Sequence, residues 1–308
     1  MENTQAGRTP GYLHLYESGV LWERVESVLQ GLESCEYCPW ECGINRLNDE
    51  KKVCRTGRHA RVTNDFPHHG EEDCLRGWNG SGTIFFGGCN LRCVFCQNMD
   101  ISQTNAGREV RSKRLSQIMI DLQKRGCHNI NFVTPEHVVP QILEALPDAI
   151  EKGLSIPLVY NTSAFDSIKS LQLLDGVIDI YMPDFKYWSR EKSQKYLKSP
   201  DYPGTAREAL REMHRQVGDL KTNKNGIAFR GLLVRHLLMP GGENETEQIL
   251  RFIASEISRE TAVNIMGQYH PAGKVDNNKY SELNQPVTGK QMTDALRFAK
   301  QSGLSNLI

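Results

Sequence analysis

The sequence predicts an α/β fold of parallel strand–helix units, a partial barrel or a doubly wound sheet, preceded by a small cysteine-rich module. Three observations carry that expectation. From Gly82 onward, short apolar runs rich in Val, Ile and Phe alternate with amphipathic helical spacing. Polar and charged residues follow the ends of those runs, where ligands gather in parallel sheets. The first eighty residues lack this rhythm and hold Cys35, Cys38, Cys42 and Cys54 at close spacing.

Taken in order, an amphipathic helix is expected over about 16–32, with Val20, Leu21, Val25 and Val28 on one stripe. A stretch rich in cysteine, glycine and charge then runs to about Gly82, with few strand or helix signals. It has too little apolar content for a core of its own, so a metal would have to staple it. The expected organisation is therefore 1–81 for the helix and cysteine-rich module and 82–308 for the core. Strands are expected at 83–86, 130–133, 156–160, 177–181, 232–238 and 263–266. Helical periodicity runs through Leu115, Ile118, Met119 and Leu122, and again through Val139, Ile142, Leu143, Leu146 and Ile150. It returns at Ile249, Leu250, Ile253, Ala254 and Ile257, and in a last helix near 291–301. Parallel strands need such crossovers, and six units fall short of a closed eight-stranded barrel. The charged stretch 186–226 reads as surface helix and loop inserted between units.

With 308 residues the chain supports one large domain or a domain with a small module. Its 37 basic and 37 acidic residues balance, which argues against strong steering toward nucleic acid or membranes. No run approaches a transmembrane span, and the N-terminus lacks the order of a targeting segment. A soluble cytoplasmic protein is expected. An odd count of nine cysteines in uneven clusters fits a disulfide framework poorly and suits metal thiolates or catalysis in a reducing compartment.

The densest cluster follows the first core strand, in "TIFFGGCNLRCVFCQN". Cys89, Cys93 and Cys96 can ligate three irons of an iron–sulfur cube from one loop and leave the fourth iron open, the mark of a reactive site. Zinc would complete a tetrahedron with a fourth ligand, and the loop holds no histidine. Gly87 and Gly88 permit the tight turn into the loop.

Cys-x3-Cys-x-aromatic-Cys resembles the signature of the radical S-adenosylmethionine (SAM) superfamily, and "GTIFFGGCNLRCVFCQN" looks like its pyruvate formate-lyase-activating-enzyme-like branch. The resemblance covers Gly82 to about Pro271 and part of the N-terminus. It implies a partial (β/α)6 TIM-like barrel with a [4Fe–4S] cluster on Cys89, Cys93 and Cys96, its open iron chelated by SAM. Reductive cleavage of SAM would give a 5′-deoxyadenosyl radical that abstracts hydrogen from a substrate. The reductant implied is of the flavodoxin or ferredoxin type. One specific version of the function is an activase that makes a glycyl radical on a partner enzyme.

Within that resemblance, Phe95 would shield the cluster and line the adenine side. Glu136 of "NFVTPEH" stands where the family carries Gly-Gly-Glu at the SAM amine, although Thr134 and Pro135 replace the glycines. Asn161, Thr162 and Ser163 offer partners for the SAM carboxylate or ribose. Asp184 and Lys186 of "YMPDFK" resemble an Asp-x-Lys site, and Arg235 and His270 follow from the fifth and sixth strands. Register decides whether Arg235 faces the lumen. No residue is assigned as a catalytic acid, base or nucleophile.

Cys35, Cys38, Cys42 and Cys54 form C-x2-C-x3-C-x11-C, enough thiolates to close a second site around zinc or a second cube, or else reduced structural thiols. Turns after Pro39 and Gly43 would expose backbone N–H groups to sulfur. Cys127 is expected as a small buried hydrophobe, and Cys74 as a spare ligand or surface thiol. "HHGEED", 68–73, reads as a solvated loop, with a competing reading in which His69, Glu71 or Glu72 folds over the barrel mouth. A non-catalytic iron–sulfur or zinc protein serving electron transfer or partner binding is the alternative function.

Overall fold

In the computed structural model, residues 9–308 are described. The reading that found no targeting order begins on residues 1–8, which lie outside them. Nine strands form the framework: β1 (Ala60–His68), β2 (Ser81–Phe86), β3 (Arg108–Val110), β4 (Ile130–Val133), β5 (Leu158–Thr162), β6 (Ile180–Pro183), β7 (Lys221–Thr222), β8 (Ala228–Leu237) and β9 (Ala262–Met266). Six of them run parallel in the order β2-β4-β5-β6-β8-β9. Helices Ser112–Lys124, Val139–Glu151, Ile168–Leu173, Tyr202–Val217 and Glu243–Phe252 make the crossovers, and Gly289–Ser302 follows β9. This is the (β/α)6 partial barrel. The parallel strands are buried on both faces, so they read as continuous apolar runs.

Helix ends are written locally. Ser167 caps Ile168–Leu173 by accepting from Ser170 N–H. Thr288 and Gln291 form a capping box at the start of Gly289–Ser302, and Gly303 ends it in the left-handed conformation. The tail then returns to the sheet, where Val263 N–H donates to Asn306 and Ile308 N–H donates to Val263.

Four expectations are corrected. The helix over 16–32 is two helices, Gly11–Glu17 and Val20–Gln30, broken at Gly19 with φ +81°. The stretch before Gly82 contains β1, which pairs antiparallel with β2 and carries the sheet across the 81/82 position. Its outer half is polar, with Asn64 and Asp65, and Pro67 lies beyond the Ala60–Val62 segment that pairs with β3. The third and fourth strands start later than expected and run on to Thr162 and Pro183. The stretch 186–226 is no insertion, since Tyr202–Val217 is the fourth crossover helix, burying Ala206, Ala209, Leu210 and Met213. Alanines and charges on its outer face hid that stripe. Among the described residues, no helix is long and apolar enough to cross a membrane.

Candidate functional site

The cysteine loop leaves β2 through Gly87 and Gly88. Gly88 has φ +86°, and a Cβ there would lie 2.3 Å from the Cys54 carbonyl oxygen, so the close approach requires glycine. The loop is pinned from outside the barrel. Arg92 N–H donates to Leu197 O at 3.2 Å, Val94 N–H to Tyr196 O at 2.8 Å, and Lys274 N–H to Val94 O at 2.7 Å. The Tyr196–Leu197 carbonyls come from a π-helical turn, Ser193–Leu197, a form that recurs at functional sites.

Cys89, Cys93 and Cys96 line one cavity of about 440 Å³ beyond the carboxyl ends of the parallel strands. Leu91 N–H donates to Cys89 Sγ at 3.3 Å, and Cys96 Sγ lies 3.2 Å from Ser102 Oγ. Burial pushes the Cys89 thiol well up and the Cys93 thiol to about 12. Phe95 completes this end of the cavity, its ring edge-on to Tyr187 at 6.1 Å and Tyr269 at 6.4 Å.

The opposite wall is an ion-pair network. Arg235 Nε donates to Asp184 Oδ1 at 2.8 Å and its Nη2 to Asn161 Oδ1 at 2.7 Å, while Nη1 stands 3.6 Å from Glu71 Oε2. Lys186 Nζ donates to Asp184 Oδ2 at 2.8 Å. Burial alone would raise the Asp184 pKa, but the charges of Arg235 and Lys186 outweigh it and hold the carboxyl at about 2. Glu71 goes the other way, raised chiefly by burial, against the pull of Arg235. Glu72 extends the network, accepting from Asn264 Nδ2 of β9 at 2.9 Å. The loop after β1 therefore spans the open side of the barrel from β2 to β8 and β9.

Beneath Ser163 lies a second carboxylate pair. Ser163 N–H and Oγ–H both donate to Glu136 Oε1 at 2.6 Å, and Glu136 Oε2 is buried without a hydrogen-bond partner among the described residues. Tyr160 OH and Thr162 Oγ1 donate to Asp166 at 2.8 and 2.6 Å. Burial, and then the Glu136 charge, push Asp166 up to about 8.

Of the residues chosen from sequence, Phe95, Asn161, Thr162, Ser163, Asp184, Lys186 and Arg235 line the same cavity as the three cysteines. Glu136 does not line it. Thr134 takes φ +57° in place of a glycine, and the turn it starts tucks Glu136 wholly beneath Ser163. His270 is exposed beside Gln97 at 3.3 Å, because β9 ends at Met266 and Gln268 takes the wall position. His68 and Glu71 are in the wall, so the folded-over reading of "HHGEED" describes Glu71, whereas His69 is not part of it. The cluster of charges was visible in the sequence, but nothing local marked it as buried. Met239, Met266, Gln97 and Ser102 also line the cavity and carried no sequence signal.

The second cysteine group lies against the back of this loop. Trp40 Nε1 donates to Asn90 O at 2.6 Å, beside Cys89, and Cys54 O faces Gly88. Cys35, Cys38 and Cys54 are buried and Cys42 partly so. Cys42 Sγ–H donates to Cys35 O at 3.9 Å. Cys127 is buried in the core, and Cys74 is half-buried against Leu75 and its neighbours.

Among the described residues, no three His, Cys, Asp or Glu side chains are gathered as ligands of one metal ion. A cube does not require that, since each thiolate bonds its own iron. Three soft sulfurs from one loop, with no fourth cysteine in the cavity wall, fit a cube with one open position.

A model of the Radical SAM superfamily matches residues 83–253. An uncharacterized protein of Methanocaldococcus jannaschii is 30% identical over 289 residues, covering 91% of this chain and 78% of that one. Native anSMEcpe with bound AdoMet and the Cp18Cys peptide gives a TM-score of 0.48 at 10% identity, over 72% of this chain and 60% of that chain. Streptococcus suis SuiB gives 0.44 at 10% identity, over 72% of this chain and 47% of that chain. The chain thus spans about three fifths and about half of the lengths of these two solved proteins.

Proposed function

Since the chain belongs to the radical SAM superfamily, whose enzymes bind a [4Fe–4S] cluster and SAM, we propose that it cleaves SAM reductively and abstracts hydrogen from a substrate admitted to the same cavity. The observation that carries this reading is the single cavity shared by Cys89, Cys93, Cys96 and the polar groups at the ends of β5, β6 and β8. Bound there, the cluster supplies the electron that breaks SAM into methionine and a 5′-deoxyadenosyl radical.

The chain's own groups hold and orient. Lys186 uses one of its three donors on Asp184, which leaves others for the SAM carboxylate. Ser163 has given its hydroxyl hydrogen to Glu136, so its oxygen faces the cavity as an acceptor for an amine or ribose hydroxyl. Glu136 acts through Ser163 as a positioning residue. Phe95 and its aromatic neighbours keep water from the cysteine loop. Glu71 and His68, on the far wall, face the substrate.

The donor of the electron is a one-electron carrier of the flavodoxin or ferredoxin type in the cytoplasm. The activase version is supported by the Cys-x3-Cys-x-Phe-Cys pattern and its flanking glycines alone. Its signature would be a glycyl radical signal on a partner enzyme after incubation with the reduced protein and SAM. The general reading is tested anaerobically. The protein is loaded with iron and sulfide, reduced with dithionite and given SAM, and 5′-deoxyadenosine is expected. A fully loaded, reduced protein that forms none would overturn it.

A further inference from the structure

Arg46 is 1% exposed and has no carboxylate partner among the ion pairs of the described residues. Its Nε donates to Gly57 O at 2.9 Å, and its Nη1 donates to His137 O at 3.0 Å and lies 3.7 Å from Cys35 Sγ. Its Nη2 is buried with no hydrogen-bond partner among the described residues. A buried guanidinium left without a counter-charge is costly, so such groups are paired or fully hydrogen-bonded. His137, the neighbour, brings no negative charge, since burial holds its imidazole neutral at about 3. The nearest groups able to become anionic are thiols. Cys35 is the thiol that Nη1 already reaches, and Cys42 lies alongside it, its Sγ 3.9 Å from Cys35 O.

A second arginine repeats the pattern between the two groups. Arg92 is half-buried and donates to Cys89 O at 2.8 Å and Leu91 O at 2.7 Å. Among the described residues, two guanidiniums without a carboxylate partner thus lie one at each cysteine group, Arg46 at Cys35 and Arg92 at Cys89.

We propose that Cys35, Cys38, Cys42 and Cys54 hold a second iron–sulfur cluster, ligated by cysteine at every iron, with Arg46 as its buried counter-charge. The proposal rests on the reading that this chain is an iron–sulfur protein, and it deepens that reading. Thiolates bound to a cluster carry net negative charge, which Arg46 offsets where no carboxylate does. Zinc would take the same four thiolates, and the metal count below separates the two.

The decisive protein is the full chain with Cys89, Cys93 and Cys96 all changed to Ala, reconstituted anaerobically and analysed for iron, sulfide and zinc. The proposal expects about four irons and four sulfides per chain, against about eight of each in the wild type. Reduced by dithionite, the remaining cluster should give a paramagnetic signal that SAM leaves unshifted, because no iron is open. Zinc in place of iron, or no metal in a variant whose circular dichroism and melting match the wild type, overturns the proposal. If the wild type loads both clusters yet cleaves no SAM, the proposed activity falls and the second site stands. Arg46→Met should lose the second cluster's iron or move its reduction to lower potential, and Arg46→Lys should restore it in part. An unchanged signal in Arg46→Met overturns the counter-charge role.

Discussion

The two cysteine groups lie back to back across Gly88, yet the molecule treats them oppositely. Cys89, Cys93 and Cys96 open on a cavity whose far wall is charged, with Asp184, Lys186, Arg235 and Glu71 held in one network. Cys35, Cys38 and Cys54 face no such space and are enclosed by Tyr37, Arg46, Trp40 and the cysteine loop itself. The same ligand chemistry can therefore serve two ends. An open set leaves room for a reacting molecule, and a closed set ties one segment of chain to another.

Substitution at the two sets should separate those ends most sharply. Cys93→Ala is expected to reduce 5′-deoxyadenosine to background, measured by chromatography after dithionite reduction, whereas Cys42→Ala should leave the cavity cluster loaded and its iron signal responsive to SAM. Equal loss in both would erase the distinction between open and closed sets.

The next effect is on stability. Arg46→Ala removes a wholly buried side chain that joins the second set to His137 O and Gly57 O, and should cost about 3 kcal/mol in anaerobic urea unfolding of the iron-loaded chain, where the thiolates balance its charge. Arg92→Ala, at a half-buried site on the open set, should cost about 1 kcal/mol. A reversed order would mean that the open loop, not the closed one, ties the chain.

Arg235→Met probes the charged wall. It leaves Asp184 with Lys186 alone and Glu71 with only His68 at 3.3 Å, so a loss of about 3 kcal/mol is expected by the same assay.

The last effect is a pH slope from the carboxylates beneath Ser163. Asp166, raised to about 8 in the fold, keeps a proton there that the unfolded chain releases near 3.8. Stability is then full below about pH 4 and falls as pH rises toward 8, by at most about 1.4 kcal/mol per pH unit for one proton. Asp166→Asn should flatten that decline in unfolding curves taken across the window. A slope as steep as that of the wild type would assign the proton elsewhere.

By itself the sequence determined the parallel strand–helix rhythm and the spacing of both cysteine sets. It also determined most of the polar residues at the strand ends, because these follow from local periodicity and from which side chains can bind iron. The strand at Ile130–Val133 and the cavity positions of Asn161, Asp184 and Lys186 were legible for that reason. Tertiary structure alone decided the rest. The polar strand β1 shows no apolar alternation over Asn64–Pro67, and it becomes a strand only because β2 offers it a ladder. That pairing sets the loop that carries Glu71 to Arg235 and Glu72 to Asn264, contacts between residues far apart in the chain. Glu136 occupied the acidic place in the sequence, but a left-handed Thr134 turned it under Ser163. Arg46 carried no signal in the sequence, since a guanidinium reveals its missing partner only once the fold has buried it.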